Sequence, residues 1–209
     1  MNESGLFALR TASADTIKNY YDAWAQTYDD EIAASGYRAP AWVAEQAAAL
    51  LPDKNAVILD AGCGTGLTGQ ALQNKGYARL TGIDLSAQSL EIARAKQCYE
   101  QLQQQDLGHA LPFTEDRFDA ITCVGTLTYI NNARHLMLEF CRVGKPGACI
   151  IFTQRDDCYD QDFSDMTRAL VDAGAWEEHS RSDPLPYLPE HPEYGAESRI
   201  HIDIYRVAG

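Results

Sequence analysis

ILDAGCGTG, residues 58–66, is an apolar run that ends on a carboxylate, Asp60, and then turns through Gly62, Gly64 and Gly66. A short apolar run bounded by turn residues reads as a buried strand. The glycines lack a β-carbon, so a ligand can lie directly against the main chain there. ARLTGID, residues 78–84, is the next apolar run, and it ends on Asp84, which is placed to accept two hydrogen bonds from a ribose diol. Together these features describe an adenosine-containing ligand at the carboxyl edge of a doubly wound sheet.

Outward from this turn, strand and helix patterns alternate. AVILD (56–60) reads as a strand, residues 67–75 as a helix, 78–84 as a strand, and 86–96 as a helix capped by Ser86. EQLQQQD (100–106) is a weaker strand pattern and RFDAITCV (117–124) a stronger one. Residues 132–142 follow as a helix, and ACIIFTQ (148–154) as a strand entered through a Lys145-Pro146-Gly147 turn. This repetition implies a parallel sheet with helices on both faces.

Upstream, Ile17, Tyr20, Tyr21, Trp24, Tyr28 and Ile32 recur at helical spacing and predict one or two amphipathic helices over 14–32, capped by Ser13. Pro40 opens a further helix that runs to Pro52. Downstream, after a helix over 164–173, WEEHSRSDPLPY and RIHIDIYRV predict an antiparallel hairpin. Ile200, Ile202 and Ile204 fall on one of its faces and His201, Asp203 and Tyr205 on the other. The loop over 183–198 holds Pro184, Pro186, Pro189 and Pro192, and is expected to be a stiff surface excursion outside the sheet. The expectation is one α/β domain over 1–209 with a mostly parallel, seven-stranded sheet ending in an antiparallel hairpin. Residues 53–209 form its core and 1–52 an N-terminal helical lid.

A chain of 209 residues suffices for one domain with a proper core. No apolar run approaches the roughly 20 residues of a membrane-spanning helix. MNESGLFALRTASADT has no basic start followed by an apolar stretch, so no secretion signal is read and the chain is expected in the cytoplasm. Seventeen basic residues against 30 acidic ones leave a net charge of −13, which repels phosphate backbones and makes nucleic acid a poor partner. The excess itself reads as solubility. Cys63, Cys98, Cys123, Cys141, Cys149 and Cys158 form no CxxC pair, which argues against a metal site or a disulfide framework and for reduced, mostly buried thiols.

Gly64, Gly66 and Gly69 also spell GxGxxG, a pattern that by itself suggests a dinucleotide with its pyrophosphate at a helix N-terminus. The register disagrees. An acid and a further glycine intervene after the strand, and a carboxylate at Asp60 repels a pyrophosphate but suits a cationic group. S-adenosylmethionine fits, having an adenosine, a sulfonium and an amino group but no phosphate.

At these residues the sequence resembles the class I S-adenosylmethionine-dependent methyltransferases, over nearly the whole chain. The family's first motif is similar to DAGCGTG (60–66), its ribose-binding acid to GIDLS (82–86) and its adenine-binding position to Asp106-Leu107. LPF (111–113) with RFDAITCVGTL (117–127) resembles its fourth-strand region, and RVGKPGACIIF (142–152) the turn into its fifth. Gly144 and Ala148 depart there from a commoner leucine and glycine. YYDAWAQTYDDEIAASGYRAP (20–40) is similar to the lead-in of small-molecule methyltransferases, closest to the subgroup named for the Williams-Beuren region.

The resemblance implies a Rossmann-like core with S-adenosyl-L-methionine as cofactor and S-adenosyl-L-homocysteine as product. It implies cofactor contacts at Tyr21, Tyr28, Asp60, Gly62, Cys63, Gly64, Gly66, Asp84, Leu85, Asp106, Leu107 and Cys123. Tyr129, Arg155 and Asp156, just beyond the fourth and fifth strands, are candidate contacts for a small-molecule acceptor. His109 and His135 read as structural or solvated. Methyl transfer asks chiefly for an in-line nucleophile, so no general base is assigned. The alternative function is a binding module that keeps the cofactor pocket without turnover. A nicotinamide-dependent oxidoreductase is disfavoured by Asp60 and by the terminal hairpin.

Overall fold

All four side chains of β1 (Ile58–Ala61) are buried, and the strand accordingly sits inside the sheet. It pairs in parallel with β2 (Leu80–Asp84) on one side and with β4 (Phe118–Cys123) on the other. β3 (Gln101–Gln104) extends the sheet beyond β2, and β5 (Gly144–Arg155) extends it beyond β4. β6 (Trp176–Arg181), β7 (Leu185–Pro186) and β8 (Arg199–Val207) complete it, with β8 antiparallel to β5 and β6 antiparallel to β8. The order is β3-β2-β1-β4-β5-β8-β6, with the two-residue β7 also paired to β8. The order reverses between β1 and β4, and in an open sheet of this kind a ligand crevice opens at the carboxyl ends of those strands. The computed structural model describes residues 9–192, 195 and 197–209.

Among the described residues six α-helices flank the sheet: α1 (Ala14–Ala34), α2 (Ala39–Leu50), α3 (Leu67–Asn74), α4 (Ala87–Ala95), α5 (Ala133–Val143) and α6 (Gln161–Asp172). Alternation along each strand divides the core in two. Leu59, Ile121, Ile150 and Phe152 pack with Phe140 of α5 and Leu170 of α6. Ile58, Ala120, Ile151, Ile200, Ile202 and Ile204 pack with Val43 of α2 and Leu72 of α3 on the opposite face. A third cluster joins Trp24 and Ile32 of α1 to Leu9, Tyr129 and Leu188, which fixes α1 across the carboxyl ends of the strands.

The N-terminal pattern forms one helix, capped as expected by Ser13, which accepts from the Thr16 amide at 3.2 Å. α6 starts at Gln161, earlier than its apolar pattern, because Asp160 caps it through the Phe163 amide at 3.0 Å. Lys145-Pro146-Gly147 is no turn ahead of the strand. It is a bulge inside β5, where pairing jumps from Phe118–Gly144 to Ala120–Cys149 and Gly147 takes a φ of +80°.

The proline-rich segment also departs from expectation. Leu185 and Pro186 pair with β8, and Leu188 is fully buried against α1. The Glu190 amide donates to the Ser35 carbonyl at 3.2 Å. Proline stiffness favours an extended path, but Leu188 gives that path an apolar anchor, so the segment packs down instead of standing out. Glu193, Tyr194 and Ala196 of this loop lie outside the described residues.

Candidate functional site

Beyond β1 the chain turns through Gly62, Gly64 and Gly66 at φ of +74°, +52° and +92°, the left-handed region that glycine enters without steric cost. The Gly62 and Cys63 amides donate to the Ile83 carbonyl at 2.8 and 3.0 Å, which ties the turn to β2. A β-carbon on Gly62 would overlap the Thr126 side chain. One on Gly64 would meet nothing within 4 Å, because Gly64 faces an open cavity. The Gly64 amide donates to one oxygen of Asp84 at 2.8 Å, and the Ser86 amide donates to the other at 2.8 Å. Asp84 thus clamps the glycine turn to the start of α4. Burial pushes its pKa up, against the pull of these amides.

Asp60 lies beneath this turn. It is fully buried and accepts from the Tyr99 hydroxyl at 2.6 Å and the Thr122 hydroxyl at 2.9 Å. Burial raises its pKa to about 6, with the charge of Asp84 adding to the rise and the two hydroxyls opposing it. Tyr99 in turn accepts from the Gly69 amide at 3.1 Å, with its ring against the Gly69 Cα. The third glycine of the GxGxxG pattern therefore serves close packing of α3. Gly69→Ala is expected to displace Tyr99, loosen its bond to Asp60, and destabilise the fold by about 1–3 kcal/mol. The check is the urea midpoint: a lower midpoint at unchanged slope is predicted, and an unchanged midpoint would show that the ring yields freely.

The cavity, of about 280 Å³, opens at the carboxyl ends of β1, β2, β3 and β4 beneath α1. Of the residues singled out from the sequence, Tyr21, Tyr28, Gly62, Cys63, Gly64, Asp84, Leu85, Asp106, Leu107 and Tyr129 line it. Burial pushes the phenols of Tyr21, Tyr28 and Tyr129 above their usual range, so these hydroxyls stay neutral.

Five expected contacts lie off the wall. Asp60 is under the turn, and Gly66 packs on Ala93 and Tyr99 at the start of α3. Cys123 is fully buried at the end of β4. Arg155 is 6% exposed and donates twice to Asp157, at 2.9 and 2.6 Å, so it is no open rim cation. Asp156 is hydrogen-bonded to His201 Nε2 at 3.0 Å, likewise away from the cavity.

The structure adds residues that the sequence reading did not single out as contacts. Lys18, Tyr37, Thr65, Gly125, Thr126, Asn131 and Asn132 line the cavity. Two aspartates dock α1 over it. Asp22 accepts from the Ser86 hydroxyl at 2.6 Å, the Gln88 amide at 3.2 Å and Lys18 at 2.6 Å. Asp29 accepts from the Thr65 hydroxyl at 2.5 Å and Lys96 at 2.6 Å. Their signal in the sequence is the Tyr-Asp pair repeated at 21–22 and 28–29, two turns apart on one helix face. Five cysteines are buried and Cys141 is half-buried, all unbridged. Among the described residues no group of three or more His, Cys, Asp or Glu could hold a metal ion, and no helix is long and apolar enough to cross a membrane.

The family described as "Methyltransferase domain" matches residues 59–152. Methyltransferase-like protein 27 of Homo sapiens is 35% identical over 166 residues, which cover 76% of this chain and 67% of that protein. The ubiquinone biosynthesis O-methyltransferase of Alkalilimnicola ehrlichii is 34% identical over 103 residues, 46% of this chain and 40% of that protein, so the match spans less than half of that relative. A solved S-adenosylmethionine-dependent methyltransferase from Mesorhizobium loti shares the fold at a TM-score of 0.63 and 18% identity, over 78% of this chain and 96% of that one.

Proposed function

This chain belongs to the class I S-adenosylmethionine-dependent methyltransferases, and we propose that it transfers the cofactor's methyl group to a small-molecule acceptor by in-line displacement. The observation that carries this reading is the pairing of Gly64, open to the cavity, with Asp84 directly behind it. The amides of Ser86, Gly64 and Leu85 hold the Asp84 carboxylate on the cavity wall, where its remaining acceptor capacity serves the ribose hydroxyls. Asp84 and Asp106 both stand on the wall, and Lys18, the lining cation, is engaged by Asp22, a poor setting for a pyrophosphate. The residues therefore suit an adenosine joined to an uncharged or cationic group.

When bound, the cofactor supplies an electrophilic methyl on a sulfonium. Asp84 orients the ribose, and Leu85 and Leu107 offer apolar surface to the base. α1, held by Asp22 and Asp29, excludes water over the reacting half. Asn131, the side-chain nitrogen of Asn132, whose oxygen caps α5, and Tyr129, whose hydroxyl pairs with that of Tyr21, are polar wall groups for the acceptor. Arg155 acts through the wall, with its guanidinium 6.0 Å from the Tyr187 ring centroid and Tyr187 packed edge-on against Tyr37 at 5.7 Å. The proline-rich segment shapes the acceptor end by the same route. The reading is tested by incubating the protein with methyl-labelled S-adenosylmethionine and metabolite extract. Label in a new small molecule supports it, and binding without any consumption of donor identifies a silent module.

α1 and the segment to Tyr37 act as a lid, because they have no strand of their own and are held over the cavity by polar clusters at Asp22 and Asp29, on α4 and the glycine turn, and by the tyrosine layer. Hydrogen exchange over residues 14–38 is expected to slow by at least about tenfold with S-adenosylhomocysteine. Equal exchange with and without it would make α1 a fixed packing element.

A further inference from the structure

Resting on the reading of the cavity as an S-adenosylmethionine site, we infer that Tyr99, in the link between α4 and β3, is a positioning residue for the cofactor: three glycines around it form the slot for its ring, and its hydroxyl holds the Asp60 carboxylate beneath the glycine turn. The slot is cut from three elements. A β-carbon on Gly69 of α3 would overlap the ring, and one on Gly66 of the turn or on Gly82 of β2 would come within 3.2 or 3.0 Å of it. Two of the glycines that spell a dinucleotide pattern thus make room for a tyrosine. Seated there, the hydroxyl donates to Asp60 at 2.6 Å and accepts from the Gly69 amide at 3.1 Å. One phenol therefore joins β1, β2 and α3, the elements that carry the turn.

What this bond governs is the charge on Asp60. The oxygens of Asp60 are held by the hydroxyls of Tyr99 and Thr122, and those of Asp84 by backbone amides. Two buried carboxylates, close enough to feel one another, are thus stabilised by neutral donors alone. Gly62, Cys63 and Gly64, above Asp60, line the cavity, so a cation lying on the turn relieves that repulsion. S-adenosylmethionine has a net positive charge, with a sulfonium and an ammonium against one carboxylate. A proton on Asp60 relieves the same repulsion, and donor and proton therefore compete. Burial favours the proton, bringing Asp60 to about 6 with the charge of Asp84 adding to the rise, while the Tyr99 and Thr122 hydroxyls oppose it. The other titratable groups around Asp60 stay neutral, because burial pushes up the thiols of Cys63, Cys98 and Cys123 and the phenol of Tyr99 itself. Asp84 is the second carboxylate, and it is common to every variant below.

The test is calorimetric titration of the whole chain with S-adenosylmethionine, without acceptor, at intervals between about pH 5.5 and about pH 8.5. Wild-type affinity is expected to fall as the pH drops through the range in which Asp60 takes up its proton. Tyr99→Phe keeps the ring in its slot and removes the bond to Asp60, which then protonates at a higher pH. The acid decline is therefore expected to move upward by about one pH unit, with affinity at the alkaline end within about threefold of wild type. Gly69→Ala reaches the same bond from the other side, by pushing the ring out of its slot, and its decline is expected to move in the same direction. An affinity loss equal at every pH would make Tyr99 a packing residue, and an unshifted profile in folded Tyr99→Phe would disconnect it from Asp60; either overturns the inference. Should Tyr99→Phe fail to fold, Gly69→Ala decides by the same two criteria. A wild-type chain that binds neither S-adenosylmethionine nor S-adenosylhomocysteine would overturn the cofactor reading itself, a distinguishable failure.

Discussion

Gly64→Leu is expected to remove S-adenosylhomocysteine binding, raising Kd by more than about a hundredfold, while the protein stays folded. The two effects separate because of where Gly64 points. Its β-carbon position meets nothing within 4 Å on the protein side, so a leucine there projects into the cavity without disturbing the core. The backbone at φ +52° costs a residue with a β-carbon about 1–2 kcal/mol, a modest loss for a domain of this size. Gly62→Leu is the contrasting change, since its side chain would run into Thr126 and disrupt the turn itself. Calorimetry alongside urea unfolding checks the pair. Normal ligand affinity in folded Gly64→Leu would mean that nothing binds over the turn.

Asp84→Ala is expected to cost on the order of 1.5–3 kcal/mol of S-adenosylhomocysteine affinity, roughly 10- to 150-fold. Part of that is the loss of charge-assisted bonds to the ribose, and part is the freeing of the Gly64 and Ser86 amides that Asp84 now holds. Asp84→Asn removes the charge, keeps one acceptor and turns a donor toward the other amide, so its loss is expected to fall between wild type and Asp84→Ala. Because burial raises the Asp84 pKa, the carboxylate protonates earlier than an ordinary aspartate as pH falls. Wild-type affinity is therefore expected to decline on acidification from neutrality, and less so in Asp84→Asn, where Asp60, with its pKa of about 6, still titrates under the turn. A folded Asp84→Ala with unchanged affinity would remove Asp84 from the ribose site.

The glycine turn and its acid on the next strand were legible because strand period, missing β-carbons and the position of Asp84 are all local. Tyr21 and Tyr28 were legible as one helix face for the same reason. Asp60 was not, because its orientation depends on Tyr99, which lies 39 positions along the chain and reaches back under the turn. Arg155 ends β5, the neighbour of β4 at the crevice, yet Asp157, two residues on, ties up its buried guanidinium. Proline content suggested that 183–198 stands apart from the sheet, but burial of Leu188, with Leu185 and Tyr187 packed beside it, outweighs that tendency. Local pattern thus located the wall of the cavity formed by the glycine turn and Asp84, while its opposite wall depends on long-range packing of α1, Tyr37 and Tyr187.

Calorimetric titration of the purified chain with S-adenosylhomocysteine and, separately, with NAD puts the cofactor assignment to the most direct test. The cavity geometry predicts saturable, stoichiometric heat with S-adenosylhomocysteine and none with NAD, whose pyrophosphate would lie over the glycine turn above the buried Asp60, with Lys18, the lining cation among the described residues, already paired to Asp22. Binding of NAD with no response to S-adenosylhomocysteine would contradict the assignment.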